Sequence, residues 1–456
     1  MPALLLLLVL LASFTAYMLG HAAASRFGAT GGRHSTAPYH GSYAAFWVGV
    51  PATALVLIWT LLQGSAIDAL LIRTLPAPLL ASTSDGLVLA EIHDAAAGRS
   101  PVPATPEIAA AAGRLMAWQT IAHTALLVMV LATMTLGASI ARTCIAPRFR
   151  ARIAVERALS SLMVACSLVA VLVALGIVAS LLSEAVGFFR QVAPHDFFLG
   201  RHWEPQIAIR DDQIAGPGAF GALPVFAGTA LIAAIAMLVA VPIGLHAAIY
   251  LTEYASDRTR RMVAPLLEIL AGVPGVVYGF FALVSVAPAV RLAGASLGLP
   301  VSPNSALAAG AVTGIMIVPL IVALADDALR AVPSAIRDGS LALGATRAET
   351  VMRVLLPAAL PGILAGLMLA LSRAIGETMI VLMAAGLIAT LTLNPLQSVT
   401  TVTVEIVATA TGDVDFTGTG TKAAFALGSV LLGATLALNL LALRLTRRNS
   451  RREDPR

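Results

Sequence analysis

Two opposite charges lie four residues apart inside an apolar stretch: Arg373 and Glu377 in LSRAIGETM, within the run 359–388. On a continuous helix that spacing puts both on one face. A charged side chain at the centre of a membrane helix costs about 2.5–3.5 kcal/mol on insertion scales, so such groups turn to the bundle interior or to water. Arginine stays charged and offers a planar fork of donors, which suits an anion such as phosphate. Glu377 can hold the arginine when no anion is present and keep an anion from binding too tightly. The same spacing also fits an ion pair that only fixes helix packing. Glu268, in the run 262–288, is a weaker candidate: Gly272, Pro274, Gly275 and Gly279 follow it, and helix bending with close packing explains that run as well. His246 reads as interfacial rather than as a ligand.

The elements that must position these charges are membrane helices. The chain has 456 residues, 58% hydrophobic and 12% charged, with a mean hydropathy of +0.89. An ordinary soluble domain carries about 25% charged residues. Apolar runs near 3–19, 44–63, 115–140, 159–183, 223–250, 262–288, 305–325, 359–388 and 424–443 are each long enough, or nearly so, to span as a helix of about 20 residues. The fold class expected is an all-α integral membrane protein. The net charge of +5 does not point to nucleic acid, because the basic residues gather at span ends. Cys144 and Cys166 have neither a disulfide framework nor metal-ligand spacing.

One alternate set of connections holds most of the 29 basic residues. It comprises Arg26 and Arg33, Arg142 to Arg157, Arg258 to Arg261, Arg330 to Arg353, and a tail from Arg444 on. That set is expected on the cytoplasmic side, with the N-terminus outside and the C-terminus inside. The first span alternatively reads as a signal peptide cut near Ala22-Ala23-Ala24, although no positive segment precedes it. The connection 64–114, with Pro76, Pro78, Pro101, Pro103 and Pro106, reads as irregular and external. In the external connection 184–222, Phe197, Phe198, Trp203 and Pro205 fit either a docking surface or the bilayer interface. Asp326 and Asp327 mark the cytoplasmic exit of the seventh span.

The segment 326–361 is too polar to span and too regular for a slack loop. Pro333 opens a helix. Ile336, Gly339, Ser340 and Leu343 give it one small-to-apolar face. Gly344 supplies the left-handed position that closes it. Thr346 and Glu349 form the capping box of a second helix, which Pro357 ends at the membrane. By pattern alone this is either a surface linker or an element that inserts into a groove on a cytoplasmic partner.

Asp338-Gly339-Ser340, with Gly344 six residues after Asp338 and Val354-Leu355-Leu356-Pro357 closing the segment, resembles the EAA loop of ABC import permeases of the MetI-like, binding-protein-dependent class. D-G-S stands where the family has E-A-A. IYLTEY at 249–254, PLLEILAGVPGVVYGF at 265–280, LSRAIGETM at 371–379 and GTGTKAAFAL at 418–427 resemble the phosphate permeases of the PstC type. In PstA-type sisters Ala-Pro usually follows R-x-x-G-E-T, where Met379-Ile380 follows here. The resemblance covers about 159–445. It implies a six-helix permease core at 151–456, with a coupling loop at 330–358, and an extension at 1–150 with about three more spans.

The resemblance further implies an ATP-driven importer of inorganic phosphate, not itself an enzyme, in the bacterial inner membrane. Arg373 and Glu377 would lie on the phosphate path. The implied partners are a PstA-like second permease, a PstB-like ATPase dimer and an external PstS-like phosphate-binding protein. No G-x-x-x-x-G-K-[ST] occurs, so no cofactor is expected on this chain. ATP and Mg are expected on the ATPase. Competing readings are import of sulfate, molybdate or phosphonate, an ion-coupled secondary transporter, and a membrane enzyme. The secondary transporter lacks convincing repeated halves. The enzyme lacks clustered acid, base or metal residues.

Overall fold

A computed structural model describes residues 2–26, 34–75, 85–99, 105–205, 218–411 and 418–450. The chain is helical nearly throughout, and nine of the described helices are long and apolar enough to cross a membrane. It divides into two compact units, Met1–Leu172 and Val173–Arg456.

In the first unit α1 (Pro2–Ser25) packs on α2 (Ala37–Thr74), and α2 packs on α4 (Pro106–Cys144). Small residues let the helices approach. A Cβ on Gly137 would lie 2.2 Å from the Trp47 carbonyl oxygen, a contact that only glycine permits. The connection 64–114, expected to be irregular, is largely helical. Helix α2 continues to Thr74, α3 spans Asp85–Ala96, and α4 starts at Pro106. Leu71, Ile92, Ala111 and Leu115, apolar residues at helical spacing, are buried together there. Pro106 sits in the first turn of α4, where a missing N–H costs nothing. Pro76, Pro78, Pro101 and Pro103 lie outside the described residues. Helix α5 (Ala151–Phe189) runs across the boundary between the units.

The second unit is built around α7 (Leu223–Ile249), α11 (Ala306–Arg330) and α14 (Leu356–Ile375), whose buried faces form one core. Near its start, α6 (Pro194–Leu199) and a two-residue ladder, β1 (Trp203–Glu204) antiparallel to β2 (Ala219–Phe220), enclose an aromatic cluster. Phe188, Phe197 and Trp203 are buried in it. Phe197 and Trp203 therefore serve as core, whereas Phe198 is exposed. Helix α16 (Val402–Thr411) joins this cluster through Glu405, whose Oε2 accepts from Trp203 Nε1 at 3.0 Å. Helix α17 (Thr419–Ser450) provides the last span.

Two expected spans are broken. The run 262–288 is not one helix. Helix α8 (Asp257–Gly272) buries none of its residues, and the sixth span begins afresh at α9 (Gly275–Phe281). Val273 between them is extended at φ −66°, ψ 127°, as steric conflict with a following proline demands. The span continues through a wide turn at Ala282–Val286 into α10 (Ala287–Ser296). The run 359–388 also stops early. Helix α14 ends at Ile375, and α15 (Met379–Ala384) follows after three residues.

Pro357 does not end a helix either. Helix α12 (Ser334–Ala342) gives way to α13 (Arg347–Thr350), a π turn at Val351–Leu355, and then α14 without interruption. A proline ring collides with the carbonyl four residues back in a regular helix. The wider π turn ahead of Pro357 relieves that conflict and lets the helix run through.

Candidate functional site: a charged cavity beside a coupling loop

A cavity of about 820 Å³ in the second unit is lined by Arg373, Glu377 and Glu268 together. The sequence candidates thus meet on one surface, although they do not lie on one helix. Arg373 stands in the last turn of α14. Glu377 lies beyond the break at Gly376, and its Oε1 accepts from the backbone N–H of Met379 at 3.0 Å and of Ile380 at 3.2 Å. That carboxylate caps α15, satisfying donors that open a helix. The ion pair expected between Arg373 and Glu377 is absent: among the described residues no carboxylate lies within 4.0 Å of the Arg373 guanidinium. The helix break is the reason, since the i, i+4 geometry requires four helical residues in a row.

Glu268 projects from α8, one turn before its end, rather than from within a span. Close packing brings the two breaks side by side. A Cβ on Gly275 would sit 3.5 Å from Glu377 Oε1, and one on Gly279 would sit 2.9 Å from the Met379 carbonyl oxygen. Arg373, Gly376 and Glu377 also line a smaller cavity of about 330 Å³, together with Asn439 from α17. Asn439 Oδ1 is buried without a hydrogen-bond partner among the described residues.

Three lining residues were missed as site residues in the sequence. Arg260, Asp326 and Asp327 line the larger cavity, but were read only as charges at span ends. Arg260 Nη2 reaches Asp326 Oδ2 at 2.9 Å. Arg330 Nε lies 3.1 Å from the same carboxylate, and Thr252 Oγ1 stands 2.7 Å from it and from the Ala248 carbonyl oxygen. The signal available was the spacing 260, 264, 267, 268 and 271, one helical face that in the structure is turned to the cavity.

The loop after α11 has the geometry its sequence dictates. Gly344 has φ +90° and closes α12. Thr346 Oγ1 accepts from Glu349 N–H at 3.3 Å, and Glu349 Oε2 accepts from Thr346 N–H at 2.9 Å, a complete capping box. Ser340 and Thr350 hydroxyls lie 3.0 Å apart and tie the two helices together. Arg337 pairs with Glu253 at 2.5 Å, which fastens α12 to the turn at Tyr250–Tyr254 after α7. The rest of the predicted face stays uncovered: Ile336 is 43% exposed, Leu343 is 92% exposed, and nothing lies within 4 Å of a Cβ built on Gly339. Asp338 is exposed beside it.

The phosphate transport permease PstC 1 of Mycobacterium tuberculosis is 34% identical over 295 residues, covering 60% of this chain and 87% of that one. The chain belongs to the phosphate transport system permease family. A probable ABC transporter permease of Bacillus subtilis, YqgH, is 32% identical over 250 residues, covering 55% of this chain and 77% of that one. Residues 240–454 of the permease match the family described as binding-protein-dependent transport system inner membrane component. Residues 6–173 match one described as phosphate ATP-binding cassette transporter. Among solved structures, a bacterial alginate ABC transporter shares 16% identity at a TM-score of 0.43, covering 65% of this permease and 96% of that chain, too remote a likeness to inform the site.

Proposed function

We propose that this chain is the channel-forming permease subunit of an ATP-driven importer of inorganic phosphate in the bacterial inner membrane. The observation that carries the reading is Arg373, held at a helix break with no carboxylate partner among the described residues and lining a cavity of about 820 Å³. A guanidinium within an apolar span, without a carboxylate partner among the described residues, costs free energy unless something anionic visits it. Glu268, Glu377 and Asp327 on the same walls keep the site from being uniformly attractive. An anion held by arginine among carboxylates is released more readily than one in an all-cationic pocket.

Energy enters from a separate ATPase dimer that carries ATP and Mg and docks on α12. The uncovered Ile336–Gly339–Leu343 face, pinned behind by the Arg337–Glu253 pair, supports that role. A second, PstA-like permease completes the channel, and an external phosphate-binding protein delivers the anion. The loop face lies in the cytoplasm, the N-terminus lies outside and the C-terminus inside, in keeping with the arginines at those span ends.

The test is uptake of labelled phosphate in a strain lacking the chain. Uptake should return with the intact gene. Restoration of sulfate or molybdate uptake with no phosphate uptake would reassign the substrate.

A further inference from the structure

We propose that Arg260 is a second anion-binding residue, which takes the anion from Arg373 at the coupling-loop end of the same cavity. This inference rests on the reading of that cavity as the anion path. The cavity runs along one face of α8, from Arg260 through Ala264 and Glu268 to Ala271. Those eleven steps cover about 16 Å of helix axis. Gly275, just past the end of α8, lies beside Glu377, so the cavity has an arginine at each end.

The arrangement around Arg260 differs from an ordinary structural ion pair in one respect. Asp326 is held by two cations, Arg260 and Arg330 on its own helix, while the single proton of the Thr252 hydroxyl is shared between it and the Ala248 carbonyl, each 2.7 Å away. Withdrawing one partner from a shielded ion pair normally strands the other charge. Here Arg330 remains, so the Arg260 guanidinium can swing to an anion without leaving Asp326 unpartnered. Asp326 is the resting place of Arg260 when no anion is bound. Asp327, one residue on, also faces the cavity and repels an anion that lingers. Anion transfer to Arg260 therefore brings the cargo to the helix ends that the coupling loop holds through Glu253 and Arg337.

The test uses the full chain in a solubilised complex with its partner subunits. Cys144→Ser and Cys166→Ser remove the native thiols, and Ala264→Cys places a reporter thiol one turn from Arg260. Alkylation by a neutral maleimide is timed with and without inorganic phosphate. At about ten times its half-protecting concentration, phosphate should slow the reaction about tenfold. Adding Arg260→Gln should abolish the protection, and Arg260→Lys should keep part of it, because the charge remains without the fork. Arg260→Gln with Asp326→Asn, which leaves no carboxylate stranded, should also be unprotected. Full protection in Arg260→Gln would overturn the role of Arg260 while leaving the cavity as the path. No protection when Arg260 is intact would overturn the cavity reading and this inference with it.

Discussion

Thr403 Oγ1 donates to the backbone carbonyl of Glu377 at 3.0 Å. The bond ties α16 to the break that follows α14. The Glu377 side chain meanwhile caps α15. Backbone and side chain of one residue are thus held from two directions, which fixes where the helix stops and how Arg373 is presented.

The first prediction separates capping from charge at this position. Glu377→Gln retains a side-chain oxygen that accepts from Met379 and Ile380, so assembly with the partner subunits should survive. Glu377→Ala removes the acceptor and should cost about 1 kcal/mol, seen as earlier thermal unfolding. Arg373→Gln should lose phosphate uptake while still assembling. Because the two residues are not paired, adding Glu377→Gln should not restore it. Recovery of uptake in that double variant would show that Arg373 serves only to balance Glu377.

A second prediction concerns the coupling loop. At φ +90° Gly344 occupies backbone space that side chains avoid, and Gly344→Val should cost at least about 1 kcal/mol there. Uptake should fall while insertion is unchanged. Gly339→Ala adds a methyl into open space and should fold and assemble normally. Equal uptake in Gly344→Val and the parent chain would remove the loop's geometry from the mechanism.

The pair between Arg337 and Glu253 gives a third prediction. Arg337→Glu places two carboxylates together and should uncouple ATP hydrolysis from uptake. Exchanging the charges, with Glu253→Arg added, should recover a large part of the coupling. An exchange that recovers nothing would mean that Arg337 acts elsewhere than on α7.

A fourth prediction tests the aromatic cluster. Trp203→Phe leaves the carboxylate of Glu405, itself 7% exposed, without its indole donor. An unmet buried group of this kind costs about 1–3 kcal/mol. Thermal stability should drop, and adding Glu405→Leu should regain much of it. If Trp203→Phe melts like the parent, the bond contributes nothing.

Orientation is open to a fifth measurement. A reporter active only outside the cytoplasm should be silent when fused after Asn449 and active within 205–215. The opposite pattern would invert the reading based on arginine distribution.

The helix–glycine–helix geometry of the loop at 333–357 was legible because its determinants are local. A glycine at the turn and a T-x-x-E four residues long fix backbone angles without help from the rest of the fold. The two breaks were not. Both 262–288 and 359–388 are continuous in hydropathy; Pro274 after Val273 offered a local sign of the first stop, whereas at Gly376 the capping of α15 by Glu377 and the close approach of Gly275 and Gly279 to Glu377 and Met379 come from residues distant in sequence. Pairing Arg373 with Glu377 failed with the helix it assumed. Arg260 was visible as a charge, but its pairing with Asp326 spans 66 positions, a separation that spacing cannot reveal. In 64–114 the prolines drew attention from the apolar periodicity of the described helical parts, to Thr74, at Asp85–Ala96 and from Pro106.

Helices α2 and α4, at 38 and 39 residues, are about 57 and 58 Å long, against a hydrocarbon layer about 30 Å thick. Their apolar stretches end near residue 63 and begin near 115, so the larger part of the excess of both emerges on one side, where α3 packs with them. Transporters buried in a detergent belt give electron microscopists little contrast by which to orient a particle. The ends of α2 and α4, carried past a hydrocarbon layer of that depth, would give this permease a landmark of its own on one face of the membrane.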